Sequence, residues 1–393
     1  MEQTMNKPRR RTPTPYQLQR RLQGKILTWL LLGTVVLFVG LGIVQKDRDF
    51  SDSENRKLAQ VPGMADIKDG SFLKDLGSYM ADQFPFRDGW ISLNFKMNTL
   101  LGQKEANGVY LCENDTLMQI PGEPNYTQRD RNLAAMDSFA AAYPDAKMYA
   151  TVVPNAVTIN PELLPKNAPI RDQMADLSAI QGGLHNLNFL DVTPTLLSHK
   201  DEYLYYRTDH HWTSRAAFYA FQSMAPAMNL LVPGEEGFTV FPVSNSFEGT
   251  LASKSGSHKA KDTVEIYVPL SNIDYYVTYA DSGKEVSSLY DRSALDKKDH
   301  YTVFFGGNHP RLDVITSANT GRNLLMFKDS YANCMVQFLY PYFDHITLID
   351  PRYFYESVDL VMRSESITDV LFLYNLDTFN GDTSLADVLT AEG

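Results

Sequence analysis

Strand-like and helix-like segments alternate along this chain from about residue 128 to residue 374. Short runs of apolar and β-branched residues alternate with stretches in which apolar residues recur three or four positions apart. The predicted strands are 147–153, 188–192, 323–327, 345–349 and 369–374. The predicted helices are 129–142, 170–184, 213–228, 331–339 and 357–362. Because strands separated by helices pair in parallel, the pattern predicts an α/β domain with a parallel sheet covered on both faces.

One stretch, residues 238–305, interrupts this alternation. It contains strand-like runs at 238–243, 263–268, 275–279 and 301–305, with turn signals such as Asp281-Ser282-Gly283 between them. Short runs joined in this way are typical of antiparallel strands. We therefore expect a β-rich insertion into the α/β domain, of the kind that often carries binding loops.

Residues 26–44 are 19 consecutive residues without a charge. At about 1.5 Å per residue, a helix of this length spans nearly the ~30 Å hydrocarbon core of a bilayer. The polar segment Gln45-Lys46-Asp47-Arg48-Asp49 follows, where a signal peptide would have a small-residue cleavage site. We predict an uncleaved signal-anchor; the alternatives are a buried core helix and cleavage near Gly42.

Charge is distributed unevenly around this apolar stretch. Residues 1–25 hold seven basic side chains and one acidic one, a net +6, so the remainder of a chain with charge −11 carries −17. The positive-inside rule predicts a cytoplasmic head at 1–25, a single pass through the cell membrane and an extracellular body. The acidic body argues against a nucleic-acid partner. Two cysteines exclude a disulfide-dense scaffold.

The predicted organisation outside the membrane has three parts. Residues 45–127 form a helical approach segment, in which Phe72, Leu76 and Met80 recur at helical spacing. Residues 128–380 form the α/β domain, and residues 381–393 a C-terminal tail.

Ser330 lies where an apolar strand, Leu324-Leu325-Met326-Phe327, ends at a polar turn before a predicted helix. Parallel strands expose such a turn at the carboxyl edge of the sheet, where open α/β folds bind ligands. The following helix N-terminus would offer N–H groups to a developing oxyanion. Ser330 is therefore a candidate nucleophile, and a helix N-cap is the alternative.

A second polar segment, Tyr206-Arg207-Thr208-Asp209-His210-His211-Trp212-Thr213, precedes another predicted helix. A serine nucleophile needs a base within hydrogen-bond reach and a third group that orients the base. In an extended segment Asp209 and His211 share a side, so the carboxylate can orient the imidazole while His210 points away. A helix cap and a metal site on Asp209, His210 and His211 are the alternatives; no further neutral ligand is evident, so we expect no metal.

Asp209-His210-His211-Trp212 resembles the signature of the DHHW protein family, which is similar to the alginate O-acetyltransferases of the AlgJ and AlgX type, an SGNH-hydrolase-like group. Other segments fit the same pattern in order, namely Ser53-Glu54-Asn55-Arg56-Lys57-Leu58, Asp82-Gln83-Phe84-Pro85-Phe86-Arg87, Val152-Val153-Pro154-Asn155 and Asp350-Pro351-Arg352-Tyr353. The resemblance covers roughly residues 50–380. It implies an SGNH-hydrolase-like three-layer fold.

The resemblance also implies a Ser-His-Asp triad, and the matching positions are Ser330, His211 and Asp209. Two departures from the family pattern accompany it. His210 replaces the hydroxyl residue that often lies between the Asp and the His of the alginate enzymes. Lys328 stands before the Asp-Ser pair where a Gly is often found.

Four further residues are candidates for the oxyanion or substrate site. Arg352 is the oxyanion candidate that the resemblance implies, with a surface ion pair as the alternative. Asn308, after Gly306-Gly307, is of the type that donates N–H groups in SGNH folds, although a plain turn explains it equally well. Tyr331 either lines the pocket or packs, and Trp212 either stacks on a sugar or belongs to the core.

Together these features predict a serine-dependent O-acetyltransferase or acetylesterase that acts on a polysaccharide of the bacterial cell envelope. No cofactor is expected. A transferase would need an acyl donor outside the cell, and the resemblance implies a multi-span membrane acyltransferase as the partner that supplies it. The alternatives are a non-catalytic glycan-binding scaffold of the same fold and a metal-dependent hydrolase.

Overall fold

The computed structural model of the chain describes residues 14–51, 56–63 and 71–391. These residues form two compact units, one containing 14–51 and 56–93 and the other containing 94–391. Residues 1–13 of the predicted basic head and residues 53–55 of the segment 53–58 lie outside the described residues.

The first unit begins with helix α1, Pro15–Val44. Its start is fixed by a capping box, in which the Thr14 hydroxyl accepts the Gln17 N–H and the Gln17 side chain accepts the Thr14 N–H. None of its residues is fully buried, and it is the one helix in the described chain that is long and apolar enough to cross a membrane. That length and composition suit a membrane anchor or a signal sequence.

The rest of the first unit is a short antiparallel strand pair, β1 and β2, followed by helices. The bounds are β1 Phe50–Ser51, β2 Arg56–Lys57, α2 Phe72–Asp82 and α3 Arg87–Leu100, the last of which continues into the second unit. The recurrence of Phe72, Leu76 and Met80 falls within α2, so the predicted helix is present.

The second unit contains the remaining elements. Its strands are β3 Glu105–Ala106, β4 Val109–Leu111, β5 Leu117–Gln119, β6 Lys147–Val153, β7 Asn188–Phe189, β8 Phe238–Phe247, β9 Asp262–Pro269, β10 Tyr275–Tyr279, β11 Lys284–Val286, β12 Arg311–Thr316, β13 Asn323–Lys328, β14 His345–Ile349 and β15 Asp369–Asn375. Its helices are α4 Tyr126–Ala142, α5 Ala156–Ile159, α6 Gln173–Gly183, α7 Thr193–Ser198, α8 Ser214–Met224, α9 Thr250–Ser255, α10 Val336–Leu339, α11 Val358–Ser364, α12 Leu376–Gly381 and α13 Ser384–Thr390.

Eight strands form one mixed sheet in the order β11-β10-β12-β14-β13-β15-β6-β7. The five strands from β14 to β7 are parallel, as the alternating sequence pattern predicts. The other three, β12, β10 and β11, are antiparallel. The α/β class is therefore confirmed, and the sheet is parallel over five of its eight strands.

Alternate residues of β13 face opposite layers of the domain. Leu324 and Met326 belong to an apolar core that includes helix α8, whereas Leu325 and Phe327 belong to a core that includes α4, α6 and α11. Helices on both faces explain why this strand is a continuous apolar run. The second core also contains Leu385 of α13, so residues of the predicted C-terminal tail are buried in the domain.

The predicted β-rich insertion differs from the structure in two respects. Strands β8 and β9 form a separate antiparallel hairpin, but β10 joins the main sheet beside β12. The predicted strand 301–305 is wrong, because the 3-10 turn His300–Val303 occupies this position. Its N–H groups bond three residues back, as from Phe304 to Tyr301, and Phe305 takes a φ of 62°, which ends the extended backbone.

Parallel strands bring their carboxyl ends to one edge of the sheet. Because β12 runs antiparallel to β14, it begins at the edge where β14 ends, and Arg311 pairs with Ile349. The turns that follow β13, β14 and β15 and the turn that precedes β12 therefore meet at this edge. These turns contain Ser330, Arg352 and Asn308.

Candidate active site

Ser330 occupies the turn directly after β13. Asp329 caps this turn, since its carboxylate accepts the N–H of Tyr331 at 2.9 Å and the N–H of Asn375 at 2.8 Å. Burial raises the pKa of Asp329, and these two backbone donors oppose the increase. The predicted helix 331–339 is a 3-10 turn, Ser330–Cys334, followed by the short helix α10. The turn is therefore fixed by the Asp329 cap and not by a long helix.

His211 lies between Ser330 and Asp209. Its Nε2 is 2.8 Å from the Ser330 Oγ, and its Nδ1 is 2.5 Å from the Asp209 Oδ1. Ser330 is half-buried, whereas His211 and Asp209 are buried. Side chains 119 residues apart in the sequence thus form one hydrogen-bonded series, from hydroxyl to imidazole to carboxylate. This is the geometry in which an imidazole can remove the serine proton.

The Asp209 carboxylate is held by several donors. Its Oδ2 accepts the N–H of Thr250 at 2.7 Å and the Thr250 hydroxyl at 3.0 Å, and its Oδ1 also accepts the N–H of His211. Burial alone would raise the pKa of Asp209, but His210, His211 and these donors hold it well below its usual range. A Cβ at Gly249 would lie 2.3 Å from the Asp209 Cβ, so this close approach requires glycine.

His210 does not point away from the site, contrary to the sequence prediction. Its ring lies 3.9 Å from that of His211, and its Nδ1 is 2.8 Å from the Thr250 hydroxyl. The segment bends at this point, and i and i+1 side chains therefore do not diverge as they would in a strand. Burial, together with repulsion from His211, lowers the pKa of His210 to about 3. A neutral His210 can donate to Thr250, whose hydroxyl in turn donates to Asp209.

Ligand atoms of Asp209, His210 and His211 all lie within 4.8 Å of one another, so this group could hold a metal ion. Both ring nitrogens of His211 and the Nδ1 of His210 already have hydrogen-bond partners. A metal bound through the paired nitrogens would have to displace these partners. Asp209 and His211 are common to the two arrangements, and their observed hydrogen bonds are the ones that a Ser-His-Asp series requires.

Trp212 and Tyr331 join the two polar segments. The indole N–H of Trp212 donates to the Tyr331 carbonyl at 2.8 Å, and the Tyr331 hydroxyl donates to the His210 carbonyl. Both side chains are almost completely buried. Their rings therefore lie in the core beneath the triad, and Trp212 is not available to stack on a sugar.

Tyr301 is a site residue that the sequence analysis missed. Its ring stacks on the His211 imidazole at 3.8 Å and 12°, and its hydroxyl donates to the Ser330 carbonyl at 2.8 Å. It thus contacts His211 and Ser330 together. No local motif marks Tyr301, because the contact depends on the 3-10 turn that replaces a predicted strand.

Asp262 is a second residue without a sequence signal. It is buried at the start of β9 and accepts the N–H groups of Arg207 and Thr208, both at 2.8 Å, as well as the hydroxyls of Tyr203 and Thr208 at 2.5 Å. Four donors on one carboxylate fix the backbone that leads into Asp209. Asp262 is therefore a positioning residue for the bend that carries the base.

Arg352, the oxyanion candidate implied by the resemblance, is bound to a neighbouring carboxylate. Its guanidinium donates twice to Asp350, at 2.8 and 2.6 Å. Asp350 is fully buried and also lies 3.9 Å from the Lys328 ammonium. Burial lowers the pKa of Lys328 to about 8, while Asp350 opposes the decrease. Arg352 and Lys328 together neutralise this buried carboxylate beside the serine turn.

Asn308 is linked to the serine turn through its side-chain oxygen. This oxygen accepts the Asn333 amide at 3.2 Å and the Lys328 ammonium at 3.5 Å. Asn333 belongs to the same 3-10 turn as Ser330. Within the described residues, no hydrogen bond uses the Asn308 amide nitrogen or the Ser330 backbone N–H as a donor. These two N–H groups therefore have no protein acceptor among the described residues.

A hydroxyl, an imidazole and a carboxylate lie in series at the carboxyl edge of a three-layer α/β domain, which is the arrangement that the resemblance to the SGNH-hydrolase-like group implies. A family model described as DHHW protein matches residues 130–349 of this chain. The match covers more than half of the sequence, and the chain belongs to the DHHW family. The resemblance seen in the sequence motifs is confirmed.

The chain is similar to several solved structures, and two of them, with TM-scores of 0.63 and 0.60, share its fold. The chain is similar to a DHHW family protein from Eubacterium siraeum DSM 15702, with 22% identity, 72% of this chain and 95% of that chain covered, and a TM-score of 0.63. It is similar to Bacillus cereus PatB1, solved with a sulfonyl adduct, with 18% identity, 70% and 97% coverage and a TM-score of 0.60. The O-acetyltransferase domain of Pseudomonas putida AlgJ matches at 14% identity, 72% and 99% coverage and a TM-score of 0.45. A search of curated proteins finds no match.

Proposed function

We propose that this protein is a membrane-anchored, extracytoplasmic O-acetyltransferase or acetylesterase that acts on a polysaccharide through Ser330, His211 and Asp209. The proposal rests on one observation, the hydrogen-bonded series from the Ser330 hydroxyl through His211 to Asp209. The family's resemblance to the alginate O-acetyltransferases supports acetyl as the acyl group and a glycan as the substrate.

The first half of the reaction forms an acetyl-enzyme. The Ser330 Oγ attacks the acetyl carbonyl carbon while His211 Nε2 takes the hydroxyl proton, and the carbonyl electrons move onto its oxygen. The Ser330 N–H and the Asn308 amide are the donors that we assign to this oxyanion. When the tetrahedral intermediate collapses, the bond to the leaving alcohol breaks and His211 returns the proton to that alcohol.

The second half releases the acetyl group to an acceptor. His211 removes a proton from a sugar hydroxyl or from water, and the resulting oxygen attacks the acetyl-serine. Collapse of the second intermediate regenerates the Ser330 hydroxyl with the proton from His211. A sugar acceptor makes the protein a transferase, and water makes it an esterase. Asp209 stabilises the imidazolium that forms in each half.

Helix α1 provides the anchor in this proposal. The basic residues before the apolar stretch support an N-terminus in the cytoplasm and a second unit outside the cell. An acetyl donor must then be delivered across the membrane, and we propose a multi-span membrane acyltransferase as the partner that delivers it.

The proposal is tested by trapping the acetyl-enzyme. The purified protein is mixed rapidly with an activated acetyl ester, quenched in acid and examined by intact and peptide mass spectrometry. We expect one added acetyl group, on the peptide that contains Ser330, and faster loss of that group when an acceptor oligosaccharide is present. A sulfonyl fluoride, chosen because PatB1 was solved with a sulfonyl adduct, should label the same peptide.

Two other outcomes correspond to the alternative functions. Polysaccharide binding with no acetylation or sulfonylation of Ser330 would indicate a non-catalytic glycan-binding protein. Ester cleavage that disappears with chelator and returns with a divalent metal would indicate a hydrolase built on Asp209, His210 and His211. Either result would overturn the proposed mechanism.

Substitutions at Tyr301 test how the base is positioned. Tyr301→Phe keeps the stacked ring and removes one hydrogen bond, so we expect kcat for acetyl-ester cleavage to fall about three- to tenfold. Tyr301→Leu also removes the stack and should lower kcat further, with KM nearly unchanged. A kcat for Tyr301→Phe protein that lies between those of the wild-type and Tyr301→Leu proteins, at equal melting temperatures, would support a role for Tyr301 in positioning His211. Equal kcat in the wild-type and Leu proteins would argue against it.

A further inference from the structure

The end of helix α1 carries an aromatic contact with the turn between α2 and α3. The ring of Phe84 stacks on Phe38 of α1 at 5.2 Å and 17°, and the ring of Trp90 lies 6.1 Å from Phe38. The indole N–H of Trp90 donates to the Pro85 carbonyl at 3.2 Å. The turn is thus packed against α1 within the first unit and does not hang free.

The position of Phe38 along α1 sets the depth of this turn. Phe38 lies six residues before Val44, the last residue of the helix, which is about 9 Å along the axis. Both residues belong to the uncharged stretch 26–44. If α1 spans the bilayer, the side chains that touch Phe38 lie in the outer half of the hydrocarbon core, about 9 Å inside the end of the uncharged stretch. The apolar faces of interfacial helices are typically buried about 5–10 Å into the membrane, so this depth is within their range.

The turn and the adjoining ends of α2 and α3 expose large apolar side chains at that depth. We call Met80, Phe84, Pro85, Phe86 and Trp90 the apolar corner; Met80 is 62%, Phe86 68% and Trp90 46% exposed. Phe86 takes a φ of 58°, a backbone that bulky residues rarely adopt and that persists only where the surroundings enforce it. The strained backbone at Phe86 thus carries an aromatic ring that faces outward, and exposure of this ring to water is unfavourable.

Polar groups of the same unit lie just past the end of α1. Asp47 accepts the Tyr79 hydroxyl at 3.0 Å, and Arg48 pairs with Asp88 at 2.8 Å. Asp47 and Arg48 are the third and fourth residues after Val44. An apolar layer at the level of Phe38 and an ion-paired layer past Val44 match the change from hydrocarbon to headgroups.

A groove of about 790 Å³ runs beside this contact, lined mainly by apolar side chains including Val35, Phe38, Val39, Met80 and Phe84. Its walls are continuous with the exposed surface of α1. Lipid acyl chains are the occupant that matches this depth and this apolar lining, because they already surround the rest of a spanning α1.

We propose that the apolar corner is immersed in the outer face of the membrane and that lipid acyl chains fill the groove between it and α1. The inference rests on the spanning α1 of the proposed function and adds a second membrane contact. The first unit then contacts the membrane through helix α1 and through the apolar corner. Such a pair of contacts restricts the tilt of the unit more than a single helix does.

The three tryptophans of the chain, Trp29, Trp90 and Trp212, allow a direct test. Full-length protein is reconstituted in phosphatidylcholine vesicles whose acyl chains are brominated near the headgroup, near the terminal methyl or not at all. In Trp29→Phe protein the emission comes from Trp90 and from the fully buried Trp212 of the second unit. Trp29→Phe/Trp90→Phe protein supplies the Trp212 baseline.

We expect headgroup-proximal bromines to quench the Trp90 emission by roughly half or more, because Trp90 would lie in the outer half of the hydrocarbon core. Terminal bromines should quench it less, and the Trp212 baseline should stay unchanged. The comparison of the two bromine depths in Trp29→Phe protein alone gives the same answer if the double variant fails to fold.

Failure of this inference is distinguishable from failure of the anchor. Trp90→Phe protein reports Trp29, which lies in the uncharged stretch of α1, above the same Trp212 baseline. Quenching of Trp29 without quenching of Trp90 would overturn the immersed apolar corner and leave the anchor intact. Absence of quenching for both would overturn the anchor and, with it, the apolar corner.

Discussion

Replacing Ser330 with Ala is expected to lower kcat for acetyl-ester cleavage by about 10⁵- to 10⁶-fold, the size of loss seen when a catalytic serine is removed. The variant lacks the oxygen that forms the bond to the acetyl carbon, and His211 retains no proton donor at the same position. The Ser330 hydroxyl has one side-chain hydrogen bond, at 2.8 Å to His211. Removing it leaves no buried charge unpaired, so the melting temperature should change little.

Ser178→Ala is the matched control for this substitution. Ser178 lies on the exposed surface of α6 and donates to the Met174 carbonyl one turn earlier. The same loss of a hydroxyl there should leave kcat within about twofold of the wild type, because exposed substitutions away from a site change little. If Ser330→Ala protein kept wild-type kcat while remaining folded, another group would carry the reaction.

The central strands of the fold could be predicted from the sequence. Strands β6, β10 and β14 have the predicted bounds, because each is a run of apolar or β-branched residues closed by polar residues. Helix ends were less accurate. Helix α4 begins at Tyr126, three residues early, because Asn125 accepts the Gln128 N–H as its cap. Helix α6 begins at Gln173, after the Asp172 cap, and not at 170.

Sheet order and strand direction could not be predicted from these local patterns. Strand β10 has the same residue types whether it belongs to an insertion or to the main sheet, because pairing with β12 depends on tertiary contacts. The turn at His300–Val303 shows the same limit. Its Tyr, Thr and Val favour a strand locally, while hydrogen bonds three residues back and burial of Tyr301 stabilise a 3-10 turn.

Some residues of the candidate site are marked by the local sequence, and others are placed only by contacts between distant segments. Asp209 and His211 are two residues apart, so their pairing has a local signal, and the strand before Ser330 also has one. The supporting residues have none. Tyr301 and Asp262 reach the site from separate segments, and their roles depend on contacts across 29 and 54 or more residues. Such contacts follow from the fold and are invisible to spacing rules.

Replacing Asp209 with Asn is expected to lower kcat by about 10⁴-fold, the loss that follows when a triad carboxylate becomes an amide. The carboxylate accepts the His211 Nδ1–H and so leaves Nε2 unprotonated toward Ser330. Thr250 already donates its N–H and its hydroxyl to the Asp209 Oδ2. An amide nitrogen at either position would face a donor, and an amide carries no charge to stabilise the imidazolium.

This substitution separates a triad from the metal alternative. The matched control is Asp130→Asn, which makes the same change beside Arg129 on the exposed surface of α4 and should leave kcat unchanged. In a triad, Asp209→Asn protein should still be sulfonylated at Ser330, only slowly, since the nucleophile is present but weakly activated. Metal-dependent cleavage predicts a different result, in which added divalent metal restores part of the lost activity and Ser330→Ala has little effect. Slow labelling of Ser330 with no response to metal would therefore indicate that Asp209 orients His211.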